Sequence, residues 1–353
     1  MIISRTPFRV SFFGGGTDYP PWYLKHGGSV LATAIDKYCY ISCRTLPPFF
    51  EHRFRVVYSK IESCQSVEEI EHPAVRETIR FLEIQQGLEI HHDGDLPARS
   101  GMGSSSSFTV GLLHALYALK GAMPSKRQLA MESIYIEQNM IRETVGSQDQ
   151  VSTAYGGLNH IVFNTNGDIT ISPITVSLER TKELNSHLML FYTGIKRTAE
   201  TVAKSYVNEI EKKNNLLSAM QNMVNDGISI LTSNQCICHF GELLHEAWKA
   251  KCGLSPQVTN SHVDEHYELA QKNGAIGGKI TGAGGGGFLL LFVAPSSQER
   301  VRRALKDLLY VPFQFDFSGS QIIFYERELE NYCEIEKRQD RSMIGAFREL
   351  SSL

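Results

Sequence analysis

The stretch Pro97-Ala98-Arg99-Ser100-Gly101-Met102-Gly103-Ser104-Ser105-Ser106-Ser107 is loop chemistry up to Gly103 and helix chemistry after it. From Ser104 onward, Phe108, Leu112, Leu116 and Leu119 fall on one apolar stripe, so a glycine-serine loop feeds a helix N-terminus. Glycine lets backbone amides come close to a phosphate, and a helix start adds the positive end of a dipole. The serine hydroxyls add further donors and hard oxygens for a metal. In isolation such a run is equally an N-cap in a flexible loop, so its meaning depends on the rest of the chain.

Working outward, Ile2–Phe13 is rich in β-branched and aromatic residues and ends in Gly14-Gly15-Gly16-Thr17-Asp18, a strand running into a glycine turn. Residues 29–43 read as a second strand, 126–144 as a helix, 145–155 as a polar loop and Leu158–Phe163 as a strand before the turn at 164–168. The second half predicts a strand at Leu188–Tyr192, helices over 198–231, 236–250 and 262–273, and a strand at Phe288–Val293 after a glycine-rich run. A helix near 298–309, a strand at Gln321–Tyr325 and a terminal helix complete the pattern. At 353 residues the chain is long for one core, and two domains leave room for a cleft.

Hydrophobic residues make up 42% and charged residues 21%, an ordinary globular mix. Lys and Arg number 35 against 38 Asp and Glu, a net charge of -3 that supplies no basic field for nucleic-acid phosphates. The longest apolar run, 288–294, is far short of the roughly 20 residues that a membrane helix needs. Met1-Ile2-Ile3-Ser4-Arg5 lacks a secretory layout, so the expected compartment is the cytoplasm, with neither nucleic acid nor membrane as partner. Seven scattered cysteines without a CxxC framework read as ordinary thiols.

Several phosphate and nucleotide signatures are excluded. Gly274 to Lys279 has the wrong spacing for GxxxxGK[ST] and is followed by Ile280. Gly282, Gly284 and Gly287 satisfy GxGxxG but lead into a strand, whereas the dinucleotide fingerprint opens a helix. HRD and DFG, the marks of a protein kinase, are absent.

Three segments remain, in a fixed order: 7–19 around Arg9 and Gly14-Gly15-Gly16-Thr17-Asp18-Tyr19, 97–106, and Lys279-Ile280-Thr281-Gly282-Ala283-Gly284-Gly285-Gly286-Gly287. Together they resemble the three motifs of the GHMP kinases, with Met102 and Ser106 as mild departures in the middle one. That resemblance implies an α+β fold of two domains. The expected N-terminal domain, 1–182, is like domain 2 of ribosomal protein S5, and the expected C-terminal domain, 183–353, is ferredoxin-like. ATP and substrate would sit between them. Within the superfamily, the segment from Gly14 to Pro20 with Leu96 to Gly101 and Val145 to Gln150 is most similar to the bacterial D-glycero-D-manno-heptose 7-phosphate kinases. Galactokinases carry Glu-His where this chain has Gly15 and Gly16, which argues against galactose itself.

The resemblance also implies roles. Asp149 would be the base and Arg9 the cation beside the reacting hydroxyl, although a loop Asp can simply shape a turn and Arg9 can be a strand-edge salt bridge. Ser100, Gly101, Met102, Gly103, Ser104, Ser105 and Ser106 would hold the nucleotide phosphates. Ser105 and Glu137 are the magnesium candidates, with Ser104 next, while Glu137 has a solvated helix position as its plain alternative. Asp18 would bind sugar hydroxyls, with Gly16, Thr17, Gly284 and Gly285 on the substrate side. Lys196, Arg197 and Lys25 are the cations considered for a substrate phosphate.

His262-Val263-Asp264-Glu265-His266 fits HxxEH but lies on a polar helical stretch with no third ligand, and is read as a solvated face, as are His91-His92, His239 and His245. The leading expectation is an ATP- and Mg2+-dependent kinase acting on the anomeric hydroxyl of a heptose 7-phosphate, with a homodimer as a compatible assembly. Another sugar 1-kinase, with a fucose- or galactose-like substrate, is the alternative within enzymes. A non-catalytic sugar-binding regulator on the same scaffold is the alternative outside them.

Overall fold

The computed structural model describes residues 1–47, 49–195, 199–207 and 209–326, with the side chains of 199–201 left aside. The chain opens with β1 (Ile2–Phe13), α1 (Pro20–His26), β2 (Gly28–Thr45), β3 (Phe54–Val57), β4 (Ile61–Cys64), α2 (Pro73–Phe81) and β5 (Leu88–Gly94). Next come α3 (Ser104–Leu119), α4 (Lys126–Tyr135), α5 (Gln148–Tyr155), β6 (Leu158–Phe163) and β7 (Ile169–Pro173). The second half holds α6 (Leu178–Ser186), β8 (Leu188–Tyr192), α7 (Ala199–Val207), α8 (Asn214–Thr232), α9 (Cys238–Cys252), α10 (Ser261–Lys272) and β9 (Ala275–Ile280). It ends in β10 (Phe288–Val293), α11 (Gln298–Ala304), β11 (Leu309–Tyr310), β12 (Phe315–Asp316) and β13 (Gln321–Tyr325).

Among the described residues these strands form two sheets. The first is built on the path β13-β1-β2-β5-β3-β4, with β6 and β12 attached at β2 and β7 attached to β6. The second has the order β11-β8-β10-β9, antiparallel throughout, which in chain order is the 4-1-3-2 arrangement expected of a ferredoxin-like half. β1 is held on both sides. Ser4 donates to the Gly111 carbonyl of α3 at 2.8 Å, while Phe12 and Phe13 meet the Phe240 ring of α9 edge-on at 5.3 and 5.0 Å. Phe240 in turn lies 6.2 Å from Phe292 of β10, so one buried aromatic chain ties the two sheets together.

The 126–144 segment is not one helix: α4 passes into a π turn at Ile136–Met140, and the chain then reverses at Arg142, whose φ is +64°. The 145–155 segment, expected as a loop, folds as α5 from Gln148, because Val151 and Ala154 give this polar stretch a buried face. The 198–231 pattern breaks into α7, a 3-10 turn at Ile210–Lys213 and α8. The expected terminal helix lies outside the described residues. Cys236 and Cys238 are joined in a disulfide rather than being ordinary thiols, since a single residue, the buried Ile237, brings their Cα atoms to 5.2 Å. No helix among the described residues is long and apolar enough to cross a membrane.

Candidate active site

The glycine-serine loop is coiled tightly, with φ of +59° at Arg99, +79° at Gly101 and +74° at Gly103. Gly103 is the N-cap of α3 and supplies no capping side chain, so the first amides of α3 are open to a ligand. The glycine run before β10 packs directly on this loop: a Cβ on Gly282 would lie 2.5 Å from the Gly101 Cα. Ser100 closes its own turn by donating to the Pro97 carbonyl at 2.6 Å.

These loops border a cavity of about 280 Å³ that is also lined by Arg9, Gly16, Asp18 and Asp149. Arg9, 3% exposed, donates through Nε and Nη2 to the two carboxylate oxygens of Asp149 at 2.7 and 2.6 Å, and through Nη1 to the Gly101 carbonyl at 2.7 Å. One guanidinium therefore fixes the plane of the carboxylate and anchors it to the phosphate loop. Asp149 sits in the first turn of α5, where the helix dipole favours a negative charge. Asp18 is buried, accepts the Gly16 amide at 2.9 Å, and has its carboxyl pKa raised by that burial.

Glu137 lies in the π turn, fully buried, and accepts from Ser106 Oγ at 3.0 Å and Gln150 Nε2 at 2.6 Å. Burial pushes its pKa up to about 8, and its Oε1 has no hydrogen-bond partner among the described residues. Two lysines complete the cavity wall. Lys251 donates to the Gly282 carbonyl and Lys279 to the Phe12 carbonyl, the latter at 2.9 Å. Burial lowers the pKa of Lys251 to about 8 and that of Lys279 well below its ordinary value. Tyr206 of α7 and Tyr19 close one side, their rings 6.0 Å apart and edge-on.

The pattern described as the GHMP kinases N-terminal domain matches residues 70–157, and the GHMP kinases C-terminal pattern matches 235–311. The chain belongs to the GHMP kinase family. It is thus a phosphotransferase of the class that acts on alcohol groups. The kinase is 27% identical, over 86% of its length and 93% of the relative's, to the D-glycero-alpha-D-manno-heptose 7-phosphate kinase of Campylobacter jejuni. It is 26% identical to the bifunctional fucokinase/GDP-fucose pyrophosphorylase of Arabidopsis thaliana, over 84% of this chain and 30% of that protein. Its fold matches a D-glycero-D-manno-heptose 1-phosphate kinase structure from Bacteroides thetaiotaomicron with a TM-score of 0.76 at 22% identity, covering 92% and 99% of the two chains.

Of the residues singled out in the sequence, the kinase brings Arg9, Asp149, Asp18, Gly16, Gly101, Gly103 and Ser104 to Ser106 around one cavity. Met102 is buried and contributes its carbonyl, which accepts the Arg9 amide at 3.1 Å. Glu137 is not a solvated helix residue, and its serine partner is Ser106 rather than Ser105, which is exposed at the cavity. Thr17 turns into its own loop, its hydroxyl set between the Gly14 and Ser29 carbonyls at 2.8 and 3.0 Å. Gly284 and Gly285 face Val258, whose carbonyl accepts the Gly285 amide at 2.7 Å, and the cavity is lined instead by Gly282 and Ala283. Lys25 pairs with Glu211 at 2.8 Å on the surface, away from the cavity, while Lys196 and Arg197 fall outside the described residues. The HxxEH histidines are half-buried on α10 rather than on a solvated face, their rings 4.3 Å apart and the His266 Nδ1 bonding the His262 carbonyl at 2.7 Å.

Lys251 and Lys279 carried no role in the sequence reading. A signal existed for the first: Leu244, Ala247, Trp248 and Lys251 repeat at three and four residues, so the lysine lies on the buried stripe of α9.

Proposed function

We propose that this kinase transfers the γ-phosphoryl group of ATP to the anomeric hydroxyl of D-glycero-D-manno-heptose 7-phosphate, giving the 1,7-bisphosphate for a nucleotide-activated heptose and a surface glycan. The observation that carries the reading is the bidentate Arg9–Asp149 pair, tied by the same guanidinium to the phosphate loop and sharing its cavity with Asp18. A carboxylate held this way can accept the proton of a sugar hydroxyl, while Arg9 offsets the charge that develops on the transferred group. Asp18, a buried acceptor at the cavity wall, is suited to orient sugar hydroxyls. The similarity to the Campylobacter heptose 7-phosphate kinase supports the choice of sugar.

The orphaned Glu137 Oε1 beside a serine hydroxyl fits a hard divalent cation. Glu137 with Ser106 or Ser105 would hold Mg2+, which when bound neutralises phosphate oxygens of ATP. The domains proposed are 1–182 and 183–353, in the cytoplasm, where ATP is available, with β12 and β13 of the second reaching back to complete the first sheet. Similarity to the Arabidopsis fucokinase keeps a fucose-type sugar 1-kinase as the second reading.

A coupled ADP-release assay with Mg-ATP against the heptose 7-phosphate, fucose, galactose and mannose tests this. Turnover confined to the heptose phosphate supports the assignment, turnover on fucose alone moves it to the second reading, and ATP binding with no turnover on any sugar removes it.

A further inference from the structure

Two buried lysines stand in the cavity wall. Lys251 is 4% exposed and Lys279 3%. Among the described residues each has one hydrogen-bond partner, a backbone carbonyl, and neither joins an ion pair. An ammonium has three donors, so two on each remain for something else.

The charges around the cavity do not balance. Its lining holds Arg9, Arg99, Lys251 and Lys279 against Asp18, Glu143 and Asp149. Arg9 is committed to Asp149 through both of its oxygens, and Asp18 already accepts the Gly16 amide. The wall holds one more cationic group than acidic, and burial leaves Lys251 and Lys279 ready to take up a proton when an anion arrives.

A third observation points at the same place. Among the described residues Ser11, 5% exposed, has an unpartnered Oγ, and Gln148 an unpartnered Oε1, and both residues line the cavity. A Cβ on Gly15 would be 3.6 Å from Ser11 Oγ and equally far from Gln148 Nε2, so these polar groups converge over a glycine whose missing side chain leaves the space open. Lys279 reaches this region through the carbonyl of Phe12, next to Ser11, and Lys251 through the carbonyl of Gly282, against the phosphate loop.

We infer that Lys251 and Lys279, with the Ser11 hydroxyl, form a second anion subsite that receives a phosphoryl group distinct from those held by the amides of the glycine-serine loop. The group is either the substrate's own phosphate or the phosphoryl in transit, and the first choice rests on the proposed sugar phosphate. The lysine pKa values, depressed by burial, agree with this, because a dianion supplies the countercharge that burial withholds.

The test is calorimetric titration of the wild type, Lys251→Met, Lys279→Met and Ser11→Ala with inorganic phosphate, with thermal melts alongside. Each lysine substitution is expected to weaken phosphate binding by about tenfold or more, while Tm holds or rises because an uncompensated buried charge has gone. Ser11→Ala, which removes one hydroxyl only, is expected to weaken it about threefold. Affinity unchanged within about twofold in all three variants overturns the inference. A lowered Tm in both lysine variants also overturns it, by making the lysines structural.

The titration needs neither sugar nor turnover, so it can succeed where the heptose assay fails, and the reverse. In the ADP-release assay, phosphate that competes with heptose 7-phosphate assigns the subsite to the sugar's own phosphate. Competition with Mg-ATP assigns it to the group being transferred.

Discussion

Gly146 lies against Asp18 so closely that a Cβ on the glycine would run into the aspartate Oδ2, and the Ser147 amide next to it donates to the Asp18 carbonyl at 2.9 Å. The loop before α5 therefore positions the carboxylate assigned to the sugar. Gly146→Ala is expected to displace Asp18, raising KM for the sugar by about tenfold with KM for Mg-ATP nearly unchanged, as read from paired saturation curves. An equal rise in both constants would make the loop a general determinant of cleft shape.

The fork between Arg9 and Asp149 divides two roles that mutation can separate. Asp149→Asn keeps the size of the side chain but removes the proton acceptor, and is expected to lower kcat by ~10²–10⁴-fold. Arg9→Lys keeps a charge but cannot span both oxygens and the Gly101 carbonyl together, and is expected to lower kcat on the order of 10²-fold. Single-turnover kinetics check both, and an Asp149→Asn enzyme with kcat near wild type would leave the carboxylate a purely structural partner of Arg9.

Much of this site was legible because three motifs occur together in order. Alone, the glycine-serine loop reads equally as an N-cap and Asp149 as a turn residue, and only the joint resemblance gave them roles. Burial was not legible. Only its three- and four-residue spacing from Leu244, Ala247 and Trp248 separates Lys251 from Lys249, yet one is 4% exposed within the cavity wall and the other pairs with Glu246 on the surface. Their fates are decided only when α9 packs on β9 and β1. The same holds for α5, whose polar opening reads as loop until the buried faces of Val151 and Ala154 find a partner. The Ser105-for-Ser106 offset has another cause: adjacent helix positions point about 100° apart, so a shift of one residue moves a hydroxyl from the cavity to Glu137.

That offset is testable. Ser106→Ala removes the hydroxyl bonded to Glu137, whereas Ser105→Ala removes an exposed one. The expected result is a larger rise in the Mg2+ concentration needed for half-maximal rate in the Ser106 variant, about tenfold against less than about threefold for Ser105. The opposite order would place the metal on the Ser105 side.

Stability should carry the mark of Lys251. Its pKa is lowered from 10.5 to about 8 by burial, so between those values the unfolded chain binds more protons than the folded one. Stability then rises with pH across that window, and the burden of the buried charge is fully present below about pH 8. Relative to wild type, Lys251→Met is expected to be more stable at pH 7, with the gap narrowing toward pH 10 in denaturant titrations. A gap independent of pH across this window would show that folding does not lower the pKa of the lysine.

Gly282→Ala tests the junction of the two loops. The φ of +66° and the approach to Gly101 both disfavour a side chain, so a loss of about 1–3 kcal/mol is expected, visible as a Tm lower by several degrees. An unchanged Tm with intact Mg-ATP affinity would separate the loops functionally.

The pairing of β1 with β13, in which Ile2 meets Tyr325 and Arg5 meets Gln321, sets an order of events during synthesis. β1 is partnered by a strand made more than 300 residues later. At ribosomal speeds of ~5–20 residues per second its outer edge waits roughly 15 s to a minute for that partner. Until then it is an open template for wrong pairing. The same stitch means that a fragment stopped short of Gln321 is an unfinished sheet rather than a free-standing first domain.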